Sequence, residues 1–120
     1  MTAYLRGSRD FQNVYRRGKR YDGVLITAFV LPNKLSHDRF GITASRKALG
    51  NAVQRNRAKR LLRETFRLRQ SLLFGLSEKY DWVLNAKRRL PSLKVTEAIE
   101  EFENLVARVA KDESKAQMSG

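Results

Sequence analysis

The stretch RFGITASRKALGNAVQRNRAKRLLRE, residues 39–64, changes its period halfway along, and that change decides the fold. Arg39 to Ala44 is short and β-prone and reads as a strand. Wound as a helix at about 100° per residue, the continuation puts Ala58, Leu61, Leu62, Thr65 and Phe66 on one apolar stripe, with Asn56, Arg60, Arg63 and Arg67 stacked opposite. Arg57 and Lys59 flank that polar face. The spacing predicts a helix from about Asn51 to Ser71, and YDWVLNA (Tyr80 to Ala86) beyond it predicts another strand. A strand, a long helix and a strand in succession suggest a parallel pair closed by the basic helix.

Outward from this centre the remaining elements follow. A first helix is expected from Arg9 to about Arg17, with Ser8 as its N-cap, Gly18 in the left-handed position that ends it, and Phe11, Val14 and Tyr15 on one face. VLITAFVL (Val24 to Leu31) reads as a strand stopped by Pro32, apolar on both faces. After a polar turn from Pro32 to Asp38, Arg39 to Ala44 is expected to pair back against it. Pro91 and Ser92 punctuate the entry to a last helix, whose stripe is Ala98, Ile99, Phe102, Leu105, Val106 and Val109. Trp82 and Phe102 are assigned to the core. The order helix, strand, strand, helix, strand, helix describes an α+β protein, a small mixed sheet with helices packed on it. A chain of 120 residues makes one domain, expected to be ordered over about 4–111 with a frayed polar tail at 112–120.

The charge says what such a domain meets. A formal net charge of +13 and a pI near 10.8 imply a polyanionic partner. No apolar run approaches the ~20 residues of a spanning helix, and MTAYLRGSRDFQ has neither a signal-peptide core nor a lipidation motif. With no cysteine, thiol chemistry is excluded and the cytoplasm is the expected compartment. His37 is the only histidine, so a zinc site or a histidine-based triad lacks parts. Between Arg39 and Arg69 ten Lys or Arg face a single acid, Glu64, whereas solvated helices interleave the two signs. Six of the twelve acids lie between Glu97 and Glu113, so the last helix is expected to face away from the polyanion.

Candidate contacts to nucleic acid are therefore Arg55, Asn56, Arg57, Lys59, Arg60, Arg63 and Arg67, with Ser45, Arg46 and Lys47 leading into the helix. Guanidinium forks match phosphate oxygens bidentately. Asn56 adds no charge, so its place between two arginines points to directed hydrogen bonding. Ser45 and Asn51 also suit helix capping, the favoured reading for Asn51. Phe11, Tyr15 and Phe29 are as consistent with core packing as with a platform for bases.

The run Lys47-x-x-Gly50-Asn51-Ala52-Val53-x-Arg55-Asn56-Arg57-x-Lys59-Arg60-x-x-Arg63-Glu64, preceded by Gly41 to Arg46, resembles the signature of the protein subunit of bacterial ribonuclease P. Asp10-Phe11-x-x-Val14-Tyr15-x-x-Gly18 is similar to that family's opening. The resemblance covers about residues 4–110. It implies a ribonucleoprotein endonuclease that removes the 5′ leader of precursor tRNA, with a catalytic RNA subunit as partner and magnesium held mainly by that RNA. It further implies a left-handed crossover between the parallel strands, an exception to the usual hand. The family's RNR motif falls on Arg55 to Lys59, and its leader cleft on Phe11, Tyr15 and Phe29, with Thr27 on the same strand. The protein alone is expected to be inactive, since its basic face carries no paired carboxylates for two-metal hydrolysis. Competing readings are a ribosomal or other structural-RNA binder, a DNA-binding regulator and a metal-independent nuclease. The second lacks a helix-turn-helix or zipper, and the third lacks a histidine pair.

Overall fold

The chain folds in the order β1 (Ala3–Tyr4), α1 (Gly7–Arg17), β2 (Lys19–Asp22), β3 (Ile26–Pro32), β4 (Arg39–Thr43), α2 (Arg46–Leu49), α3 (Ala52–Arg69), β5 (Tyr80–Ala86) and α4 (Val95–Ser119), in a computed structural model that describes residues 3–119. Short 3-10 turns at Gln70–Gly75 and Leu90–Ser92 lead into and out of β5. The three longer helices and the three long strands lie close to where the periodicity predicts them, although β3 begins at Ile26 rather than Val24. It does not predict α2, β1 or β2.

The sheet order is β1-β4-β5-β3-β2. β5 is parallel to β4, as the strand-helix-strand succession suggests, and antiparallel to β3, so Val83 sits between Gly41 and Phe29. The expected hairpin of β3 with β4 is therefore absent. The polar turn bridges the start of β5 instead: Asn33 N–H donates to the Lys79 carbonyl, and Tyr80 N–H donates to Asp38 Oδ1 at 2.8 Å. Asp81, 3% exposed, is held there by a two-pronged bond from Arg39 (2.9 and 2.6 Å) and by Asn33 Nδ2 at 3.0 Å. A buried carboxylate with all these donors is satisfied, and removing one partner leaves an uncompensated charge.

Alternation along the strands divides the sheet into two unlike faces. Ile26, Ala28, Val30, Phe40, Trp82 and Leu84 are buried against α3 and α4. The stripe of α3 is buried there through Ala58, Leu62, Thr65 and Phe66, and so is the whole expected stripe of α4. The opposite face holds a smaller cluster in which Val14, Val83 and Leu5 pack with Phe11, Phe29 and Leu31 under α1. Gly41 makes room for α1, since a Cβ there would lie 2.5 Å from Phe11 Cε1.

Three local expectations are corrected. α1 begins at Gly7 without a side-chain cap from Ser8. Gly18 is extended (φ −77°) rather than left-handed; glycine is needed because a Cβ would stand 2.6 Å from the Val14 carbonyl, which accepts the Gly18 N–H. The tail does not fray at 112: α4 continues to Ser119. Asp112 accepts from Lys19 Nζ (2.5 Å) and the Tyr21 hydroxyl (2.7 Å), and Glu113 accepts from the Tyr80 hydroxyl and the amides of Ser77 and Glu78. Polar composition hides these ties.

They make the end of α4 acid-sensitive. The bonds from Lys19 and Tyr21 hold the Asp112 carboxyl below its ordinary range. Burial pushes Glu113 up, but the donors around it outweigh burial and leave it below its ordinary range too. Groups depressed in the fold add stability above their unfolded pKa and lose it as pH falls through the folded value. Hydrogen-exchange protection of the last turns of α4 is thus expected to fall below about pH 4, ahead of protection in β5. Asp112→Asn with Glu113→Gln should produce the same loosening at neutral pH.

Candidate nucleic-acid interface

Two capped turns aim the basic segment. Ser45 Oγ accepts from Ala48 N at 3.1 Å to start α2, and Asn51 Oδ1 accepts from Gln54 N at 2.9 Å to start α3. Gly50 joins them at φ +77°, a left-handed conformation that favours glycine. Ser45 and Asn51 thus both serve as caps. Arg46 and Lys47 project from α2 into solvent, and Lys47 shares a groove of about 380 Å³ with Gln54 and Arg88.

Along α3 the cations fall into two groups. The side chains of Asn56, Lys59, Arg60 and Arg63 make no hydrogen bond or ion pair with any other described residue, and they line a groove of about 710 Å³ with Tyr4 and Phe40. Arg57, Arg67 and Arg69 are engaged within the protein. Arg67 pairs with Glu64 at 2.6 Å, which holds the Glu64 carboxyl below its ordinary range. Arg57 donates through Nε to the Pro91 carbonyl and through Nη2 to that of Leu93 (3.5 Å), fastening the 3-10 turn to the helix. Arg55 is half-buried, its Nε without a partner.

On the opposite sheet face, Tyr15 stands edge-on to Phe29 with ring centroids 4.8 Å apart and is 37% exposed. Its hydroxyl donates to Asn85 Oδ1 at 2.8 Å, and the Thr43 hydroxyl donates to the same oxygen at 2.6 Å. Arg20 lies over the Phe29 ring, 5.7 Å from its centroid, while bonded to Asp22. Phe11 belongs to the small cluster over Gly41. Thr27 is only 5% exposed, and its hydroxyl donates to Asp22. This strip and the α3 stripe lie on opposite faces of the sheet. They approach one another through the chain beyond β4, where Thr43 is followed at once by Ala44 and Ser45–Lys47.

Sequence reasoning missed Asn85, Arg20 and Tyr4. Asn85 carries a signal, since Asn is depleted in strands and here interrupts an apolar run. Tyr4 carries none. Among the described residues no group of three or more His, Cys, Asp or Glu could hold a metal ion, and no helix is long and apolar enough to cross a membrane.

A strongly basic helix on a mixed sheet whose other face offers rings and an amide defines a small α+β protein with a cationic face suited to a polyanion. Residues 1–110 match the Ribonuclease P family. The ribonuclease P protein component of Clostridium novyi (strain NT) is 38% identical over 106 residues, covering 87% of this chain and 90% of that protein. That of Pelotomaculum thermopropionicum is 38% identical over 104 residues, covering 87% and 89%. The RNase P protein of Thermotoga maritima superposes with a TM-score of 0.75 at 28% identity, over 88% of this chain and 96% of that one. For the Staphylococcus aureus RNase P protein the TM-score is 0.73 at 29% identity, over 90% and 94%. The chain belongs to the ribonuclease P protein family, and its role is that of the protein component of the endoribonuclease that processes the 5′ end of tRNA.

The division of the cations has a measurable consequence. Arg57→Ala should cost about 1 kcal/mol in a thermal or urea melt, because two carbonyls lose a charged donor. Arg60→Ala and Arg63→Ala should stay within about 0.5 kcal/mol, since neither has a partner to lose.

Proposed function

We propose that α3 holds the catalytic RNA through Asn56, Lys59, Arg60 and Arg63, with Arg55, Arg57 and Arg67 at its margins, while the strip of Tyr15, Phe29, Thr43 and Asn85 takes the single-stranded 5′ leader of precursor tRNA. Ser45, Arg46 and Lys47 lie between the two. Phe11 and Thr27 act from beneath, Phe11 by seating α1 and Thr27 by holding Asp22. Magnesium is carried by the RNA, and the protein works in the cytoplasm beside it. The observation that supports the leader reading best is Tyr15: a half-open ring braced by Phe29 and tethered to Asn85 is fixed before any base arrives. Stacking on fixed rings tolerates any base sequence, which suits a surface that meets many leaders. A purely structural RNA binder needs the basic helix but has no use for that strip.

Two measurements test the halves separately. Arg60→Ala and Arg63→Ala are expected to weaken assembly with the catalytic RNA and to lower the salt slope of binding by roughly one for each phosphate no longer neutralised. An unchanged slope would remove α3 from the RNA interface. Tyr15→Ala and Phe29→Ala are expected to weaken holoenzyme binding to precursor tRNA with a leader of several nucleotides by about 1 to 3 kcal/mol per base unstacked, with mature tRNA nearly unaffected. Equal losses on both RNAs, or a melt lowered by the ~3 to 5 kcal/mol typical of a truncated core aromatic, would return these rings to packing.

A further inference from the structure

The groove beside α3 contains a ring that neither the leader strip nor the basic face explains. Tyr4 sits on the two-residue strand β1, paired in parallel with β4 opposite Phe40. It is 56% exposed, so burial does not account for it. Its ring is backed from below: Tyr4 and Phe40 centroids are 4.4 Å apart at 41°, and Phe40 stacks on the buried Phe66 at 3.8 Å and 17°. Tyr4 is thus the open end of an aromatic column rooted in the core. Beside it in the same groove are Asn56, Arg60 and Arg63, which have no partner among the described residues; the one acid there, Glu64, is neutralised by Arg67.

A backed aromatic face next to free guanidinium forks and an amide offers each part of a nucleotide its own complement. The ring suits a base, the forks suit phosphate oxygens and the amide suits a base edge. At about 710 Å³ the groove lies within the roughly 300 to 1,000 Å³ usual for small-ligand sites. We propose that Tyr4 is a stacking platform for one unpaired nucleotide of the RNA that α3 holds, with the adjoining phosphates on Arg60 and Arg63. The proposal rests on the reading that α3 faces RNA, and adds to it that the contact includes an unstacked base rather than duplex backbone alone.

Fluorescence isolates the ring. The only native tryptophan, Trp82, is 0% exposed, so a Tyr4→Trp variant carries one solvent-facing indole at the site. A single-stranded oligoadenylate of about five nucleotides is expected to quench that indole, while an abasic oligonucleotide of equal length, inorganic tripolyphosphate and oligoglutamate are not, because stacking needs a base. In parallel, Tyr4→Ala is expected to weaken assembly with the catalytic RNA by about 5- to 150-fold with no change in salt slope, since no charge is removed, and Tyr4→Phe should bind nearly as native. Quenching by the abasic strand or by oligoglutamate equal to that by oligoadenylate would overturn the proposal. So would native affinity in Tyr4→Ala. If Arg60→Ala and Arg63→Ala lower the salt slope while Tyr4→Ala binds as native, the stacking site alone fails; if the arginine variants leave the slope unchanged, it is the reading of α3 that fails.

Discussion

The central strand β5 has both edges hydrogen-bonded and, apart from a half-exposed Asn85, is buried along its length. A strand in that position needs cover on both sides, and the chain supplies it unequally. Two long helices, α3 and α4, close one face over Trp82, Phe66 and Phe102, while the eleven-residue α1 closes only part of the other. Where α1 stops, the strand residues Asn85, Thr43 and Phe29 remain within reach of solvent. The partial cover creates the strip, because a longer helix there would bury the amide and the ring together.

The electrostatics follow from where the acids are used. Glu101 accepts from the backbone amides of Val24, Leu25 and Ile26 and pins the start of β3, Asp38 and Asp81 secure the start of β5, and Asp112 and Glu113 secure the end of α4. These carboxylates act as internal ties. None of them is spare to neutralise Lys59, Arg60 or Arg63, which stand together on one face of α3 without an acidic partner among the described residues. Repulsion among cations so placed falls when a polyanion binds.

Periodicity makes α3, α4 and β5 legible, because each buries a stripe or a run long enough to leave a pattern. The pairing partner of β3 is not legible. Proximity in sequence favours a hairpin with β4, and only the Asn33 and Asp38 bonds across the start of β5 reveal that a strand some forty residues onward takes the place between them. β2 (KRYD) and β1 (AY) are too short and too polar for any period; their strand character comes from the neighbours they join. The end of α4 escapes the pattern for a related reason, since its polar residues are held by groups distant in the chain. Among the candidate site residues, charge imbalance reveals the unpaired cations and residue type reveals the cap at Ser45, whereas the internal roles of Arg57 and Thr27 depend on partners that composition does not show.

One peptide of β4 joins the two surfaces. Phe40 faces the α3 side, where it lies between Phe66 and Tyr4; Gly41, next in the chain, faces α1, where the missing side chain lets Phe11 descend onto the sheet. Alternation of the pleat sends these neighbours to opposite sides. Phe40 needs bulk, to carry the column from the core out to Tyr4, and Gly41 needs its absence, to bring α1 close enough for Tyr15 to reach both Phe29 and Asn85. Packing at interior density resists independent adjustment of adjacent positions. The geometry of the groove and that of the strip are therefore set together, which fixes any RNA held on α3 and any strand held by Tyr15 in one spatial relation.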